Sequence, residues 1–201
     1  MARAALAAAT PRLLEAWFGA APAAFQMRWF SQSPEWDVAL RAEFGGLVEA
    51  LLVDPPVAPA PSSPDETLAA ILALDQLPRN LYRGTGKAHA GDASALVLAR
   101  AALASGVVAS LPHETQRLFA LMPFQHAEDA AAQAAFAAAA AAHLPAMWEA
   151  PGSSLRSSSD SHAATIARFG RFPHRNALLG RASTPDEQAY LSGERAGWEK
   201  S

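Results

Sequence analysis

The stretch Ser63-Pro64-Asp65-Glu66-Thr67-Leu68-Ala69-Ala70-Ile71-Leu72-Ala73-Leu74-Asp75-Gln76-Leu77-Pro78 decides the fold class. Ser63 is an N-cap residue, Pro64 stands where the first helical turn tolerates a missing N–H, and Glu66 follows three residues after the cap. Leu68, Ile71, Leu72 and Asp75 then recur at about 100° per residue, one stripe of a helix. Pro78 marks its expected end, because proline lacks the N–H that the next turn needs.

Working outward, the same periodicity returns along the chain. Leu13, Leu14, Trp17 and Phe18 form an apolar face ended by Gly19, and a second helix over 35–52 turns Trp36, Leu40, Phe44, Leu47 and Leu51 inward. Trp29 and Phe30 staple the connection between them. Asp92 is placed to cap a helix that stops at Gly106, Pro112 opens another to about Met122, and Pro123 forces a break or kink. The alanine tract through Ala142 forms a helix readily. Residues 153–161 read as a polar loop, after which His162, Thr165, Ile166 and Phe169 share a face up to Gly170. Thr184, Pro185, Asp186 and Glu187 repeat the capping chemistry of the start. No convincing period-2 strand occurs, so the chain is expected to be all-α. It reads as a single domain over 1–201, with frayed ends over 1–11 and 193–201 and a proline-rich loop over 54–64.

Composition bounds the function. The chain has 201 residues, 51% hydrophobic and 17% charged, enough for a real core and far from the profile of disorder. Sixteen basic residues against nineteen acidic ones give a net charge of −3, so no global positive field exists for nucleic acid or an anionic membrane. The uncharged run 130–148 is mostly alanine, holds Gln133 and His143 and is broken by Pro145, which is too little apolar drive for a membrane span. The start, broken at Thr10-Pro11-Arg12, lacks the apolar segment of a secretory signal, and the expected location is cytoplasmic. Without cysteine there is no disulfide framework, thiol nucleophile or thiolate metal site.

Several polar groups stand where apolar ones belong. Asp75 occupies the centre of its buried stripe, and an ionised carboxylate there needs partners. Arg79 and Arg83 are the nearest cations, so Asp75 reads as a structural clamp on the helix end or as part of a site. His162 sits on the apolar stripe of its own helix, as a satisfied core histidine or as a ligand-facing one. Arg168, Arg171, Arg175 and Arg181, with His174, fall between Asp160 and Asp186 with no acid among them, while lysine occurs only at 87 and 200. Guanidinium groups so clustered require carboxylate partners from elsewhere or an anionic ligand. His126, Glu128 and Asp129 supply an imidazole and two acids after Pro123. The acids suit the first turn of the alanine helix, or a polar wall facing the arginines. Pro78-Arg79-Asn80 is faintly echoed by Pro173-His174-Arg175-Asn176, as though two helix-end loops met around one cavity.

These blocks resemble a bacterial domain-of-unknown-function family, number 924. The resemblance is carried by Ala73-Leu74-Asp75-Gln76-Leu77-Pro78-Arg79-Asn80-Leu81-Tyr82-Arg83-Gly84-Thr85, by Leu121-Met122-Pro123-Phe124-Gln125-His126-Ala127-Glu128-Asp129, and by Arg168-Phe169-Gly170-Arg171-Phe172-Pro173-His174-Arg175-Asn176 with Leu179-Gly180-Arg181-Ala182-Ser183-Thr184 and Glu187. Trp17-Phe18-Gly19 matches the family's opening. Leu77 replaces a usual phenylalanine and Ala127 a usual serine. The resemblance spans about 12 to 192 and implies stacked antiparallel helices similar to a tetratricopeptide-like superhelix. It implies no activity, and the chain shows no 34-residue repeat.

The functional expectation is a small-molecule site for an anionic ligand, of hydrolase or transferase type. His126, His162, His174 and Asp75 would handle protons, and Arg79, Asn80, Arg83, Glu128, Asp129, Arg171, Arg175 and Asn176 would bind and orient the ligand. The alternative is a noncatalytic helical module for a protein or peptide, its polar blocks being ion-pair struts. No cofactor is expected. A metal held by His126, Glu128, Asp129, His162 and His174 is disfavoured by their spacing. Nucleic acid and membrane are not expected partners, and the oligomeric state is left open.

Overall fold

The computed structural model describes residues 2–56 and 63–194, so most of the loop expected over 54–64 and most of the tail expected over 193–201 lie outside the described residues. Every regular element among them is helical. The principal helices are α1 (Ala2–Phe18), α2 (Pro34–Val53), α3 (Pro64–Ile71), α4 (Leu77–Leu81), α5 (Asp92–Ala104), α6 (Val107–Ser110), α7 (Glu114–His126), α8 (Ala130–His143), α9 (Pro145–Trp148), α10 (Ser154–Phe169) and α11 (Pro185–Ala189). They build one all-α domain. Helices close in sequence pack together, α1 on α2 and α7 on α8, and α3 and α5 lie against α7. This is compatible with the stacked-helix resemblance.

The capping signals act as the residues dictate. Ser63 accepts a hydrogen bond from the Glu66 N–H at 3.2 Å. Thr184 and Glu187 form a reciprocal capping box at the start of α11. Each replaces an orphan N–H partner that the first helical turn cannot supply from within. The core is aromatic at one end: Phe119 on α7 meets Trp17 edge-on at 5.3 Å and Trp29 at 4.9 Å, and Phe18 packs on both Trp29 and Phe119. The Trp29 indole N–H donates to the Trp17 carbonyl at 2.9 Å, which fixes the segment between α1 and α2.

Four expectations are corrected. Residues 1–11 were expected to fray, but α1 starts at Ala2 and carries Pro11 inside it, with Leu6, Ala9 and Thr10 buried. Burial of that face outweighs the hydrogen bond Pro11 removes, and Thr10 returns its hydroxyl to the Leu6 carbonyl at 2.9 Å. Of the break or kink expected at Pro123, the break does not occur, since α7 continues to His126. Residues 153–161 are not a loop: Ser153 caps α10 by accepting from the Arg156 N–H at 3.1 Å, and the helix runs from Ser154. Pro78 does not stop the chain's helical course either, for a reason that shapes the site. No helix among the described residues is long and apolar enough to cross a membrane.

Candidate functional site

Between α3 and α4 the chain makes one π-helical turn, Leu72–Gln76, in which the Leu77 N–H reaches five residues back to the Leu72 carbonyl. A regular helix would require Pro78 to donate to the Leu74 carbonyl, which it cannot do. The wider turn absorbs the fault and lets Pro78 sit in the first turn of α4. Asp75 lies on this turn and is wholly buried. The Leu74 carbonyl points at Gly91, where an added Cβ would stand 2.1 Å from the oxygen. Glycine alone permits that approach, and it brings the next residue, Asp92, beside the π-turn. Asp92 was expected to cap α5. Instead it is the first residue of α5, preceded by Gly91, and its carboxylate turns to the site.

Asp75 and Asp92 are the two poles of a polar centre. Asp75 receives the His126 ring at Nδ1, 2.7 Å from Oδ1 and 3.0 Å from Oδ2. The Gln76 side-chain amide donates to Asp75 Oδ2 at 2.6 Å. Arg79 donates its Nη1 and Nη2 to the two oxygens of Asp92 at 2.8 and 3.0 Å, and its Nη1 lies 3.5 Å from Asp75 Oδ1. Arg175 donates Nη1 to Asp92 Oδ2 at 3.2 Å and to the His126 carbonyl at 3.0 Å. His89 places Nδ1 3.7 Å from Asp92 Oδ2, beyond hydrogen-bond reach. The two echoed segments thus meet, through Arg79 and Arg175 on one carboxylate, while Asn80 and Asn176 go elsewhere.

The charges decide the protonation states. Burial pushes the Asp75 carboxyl up, but His126 and Arg79 outweigh it and hold it below its ordinary value. Burial, and then Arg79, push the His126 imidazole down, with Asp75 only partly offsetting them. At neutral pH this is an ionised Asp75 accepting from the Nδ1–H of a neutral His126, which leaves Nε2 as the proton acceptor. Among the described residues no hydrogen bond engages that Nε2, and 12% of the side chain remains exposed. Asp92 is held well below the carboxylate range because Arg79, with Arg175, overcomes its burial. An imidazole oriented this way can take a proton at Nε2 and share the resulting charge with Asp75.

The remaining predicted residues are distributed over other contacts. Asn80 and Arg83 both bind Asp37 on α2, at 2.7 Å and at 3.0 to 3.3 Å. Glu128 holds Arg181 and the Phe172 N–H, and Asp129 caps α8 and pairs with Arg100. Arg171 makes a two-pronged pair with Glu187, which also receives the Asn176 amide. The His162 Nδ1 meets the Ser158 carbonyl at 2.8 Å, and burial drives its pKa to about 3. It therefore stays neutral in the core, edge-on to Phe172. The His174 ring tilts against Phe172 as well. Among the described residues no group of three or more His, Asp or Glu side chains is placed to hold a metal ion, so the five-residue metal set is not brought together.

Sequence reasoning missed Asp92, His89, Asp37 and Gln76. The signal for Asp92 was the arginine excess itself, which demanded an acid from a distant segment. The family model described as a bacterial protein of unknown function (DUF924) matches residues 13–194. A protein of unknown function from Agrobacterium tumefaciens has a similar solved structure, with a TM-score of 0.74 and 29% identity over 94% of this chain and 99% of that one. No curated protein matches the chain.

Proposed function

The chain belongs to the bacterial DUF924 family, and from that premise, which carries no activity, we propose that the protein binds an anionic small molecule and transfers a proton on it at His126. The reaction class that suits this is hydrolysis or group transfer. One observation carries the reading: a buried Asp75 aligns the His126 ring at 2.7 Å while Nε2, at the edge of the charged centre, has no partner among the described residues. A purely structural imidazole would be expected to spend both ring nitrogens on hydrogen bonds once so deeply set. Asp75 orients the ring, as the acid of a catalytic triad does, and stabilises its protonated form. Arg79 and Arg175 stand beside it as hydrogen-bond donors, their charges balanced by Asp75 and Asp92.

The test is a thermal-shift screen of small carboxylates, phosphates and their esters, followed by turnover assays on whatever stabilises the protein. A ligand should raise the melting temperature of the native chain and be converted, and His126→Gln should lower turnover by about 10²-fold or more with binding retained. A broad screen in which no ligand shifts the native protein refutes the reading.

The noncatalytic alternative has its own support. Phe25, Met27 and Phe30 are 54%, 71% and 46% exposed, and the Phe25 and Phe30 rings stack at 5.6 Å. Such a grouped apolar surface is suited to a protein or peptide partner. If Phe25→Ser with Phe30→Ser abolishes capture of a specific partner that His126→Gln leaves untouched, the binding-module reading gains over the enzymatic one.

A further inference from the structure

A guanidinium group presents two edges to planar anions, and Arg175 uses only one of them. Its Nη1 is engaged by Asp92 and the His126 carbonyl. Among the described residues its buried Nε has no hydrogen-bond partner, and both of its side-chain hydrogen bonds are made by Nη1, none by Nη2. A buried N–H left unmade is costly, and in native proteins such an atom calls for an explanation. The same chain displays what this edge takes. Arg171 offers Nε and Nη2 to the two oxygens of Glu187 at 2.7 and 2.9 Å, and Arg83 offers the same pair to Asp37. One face of the Arg175 guanidinium is covered by the Phe172 ring at 4.5 Å, which holds the plane in place.

We propose that the Nε/Nη2 edge of Arg175 receives the carboxylate of a monoanionic small-molecule ligand beside His126. The inference rests on the site reading above and names the substrate class for it. Two parallel N–H donors match a carboxylate in geometry, as they match phosphate. Charge separates the two. Asp75 and Asp92 balance Arg79 and Arg175, so an incoming anion is met by no net positive charge while His126 is neutral, and it lies one guanidinium's width from Asp92. A phosphate dianion doubles that repulsion, whereas a single carboxylate leaves the centre with one negative charge, which a proton arriving on His126 cancels. The orphaned edge therefore selects the carboxylate and couples its capture to protonation of the neighbouring imidazole.

The test uses the full-length protein and acetate as the probe, read at the Arg175 Nε–H resonance in a nitrogen-15 correlation spectrum. That resonance is assigned by its disappearance in Arg175→Lys, which keeps the charge and lacks the two-pronged edge. Acetate should shift it saturably, with half-saturation on the order of 1 mM to 10 mM for so small a ligand, while chloride at matched ionic strength should not. Acetate should move it as far in His126→Gln at pH 8, because the edge itself is intact. Failure of acetate to move the resonance in the native chain overturns the proposal, whether or not Arg175→Lys folds. A shift by phosphate and none by acetate overturns the carboxylate assignment. A ligand found in the screen that is converted at His126 yet leaves this resonance still defeats the inference and spares the site. Saturable acetate binding with no convertible ligand does the reverse.

Discussion

Gly91→Ala separates the physical account of the site from a merely descriptive one. The new Cβ would stand 2.1 Å from the Leu74 oxygen and 2.9 Å from its carbonyl carbon, where ordinary contact starts at 3.4 Å. Both groups are backbone, so no rotamer relieves the clash. The start of α5 and the π-turn must part by about 1 Å, an overpacking cost of roughly 1–3 kcal/mol. That movement carries Asp92 away from Arg79 and weakens a two-pronged charge-assisted pair, about 1.5–3 kcal/mol more. The sum is about 2.5–6 kcal/mol. For a domain of this size that lowers the melting temperature by roughly 5–24 °C. Gly46→Ala is the control: it lies inside α2 with nothing within 4 Å of the added carbon. It should raise stability by about 0.5–1 kcal/mol through helix propensity alone. Urea denaturation followed by circular dichroism measures both. If Gly91→Ala unfolds within about 0.5 kcal/mol of the native chain, the close approach of Gly91 to Leu74 does not hold the two carboxylate-bearing segments together.

Other outcomes follow from single groups. Asp75→Asn should cost about 2–4 kcal/mol in denaturant, since Arg79 and His126 lose a buried counter-charge, and the His126 pKa measured by NMR should fall further because the carboxylate that raises it is gone. An unchanged His126 titration would contradict the pairing. His162 sits at about 3 when folded against an ordinary 6.5, so the unfolded chain binds its proton first. Its contribution is complete above pH 6.5 and drains away as pH falls toward 3, about 2 kcal/mol being lost between pH 6.5 and 5. His162→Gln should flatten that part of the stability profile, and an identical slope in the variant would sink the assignment. Thr184→Ala should cost about 1 kcal/mol and Glu187→Gln, which also loses the charged pair with Arg171, about 2–3 kcal/mol, and together less than their sum, because they share one capping box. Strict additivity in a double-mutant cycle would show the two bonds to be independent.

The legible parts of the chain were those whose cause is local. Ser63 and Thr184 announced their helix starts because a cap is satisfied within three residues. Asp75 and His162 were recognisable as misplaced because a helical stripe has a fixed period. The proline positions were read too simply: Pro11, Pro78 and Pro123 all lie within helical segments, since neighbouring apolar burial and a π-turn supply what the missing N–H takes away. Residues 153–161 looked like a loop for a similar reason. Serine is indifferent to helix by itself, and α10 exists because Ser153 caps it, Ser159 and His162 are buried, and the helix packs on α8.

Arg79, Asn80 and Arg83 stand within five residues of one another, yet Arg79 faces Asp92 while the other two face Asp37. Nothing in their spacing distinguishes these partners. The all-α class, the caps at Ser63 and Thr184 and the need for a carboxylate among the arginines were settled by composition and period alone, because those quantities sum over near neighbours. Which acid meets which base was settled by the packing of α5 on the π-turn and of the 173–175 segment on α7. Such pairings depend on ångström-scale separations between segments tens of residues apart, and a linear order of residues does not contain those distances.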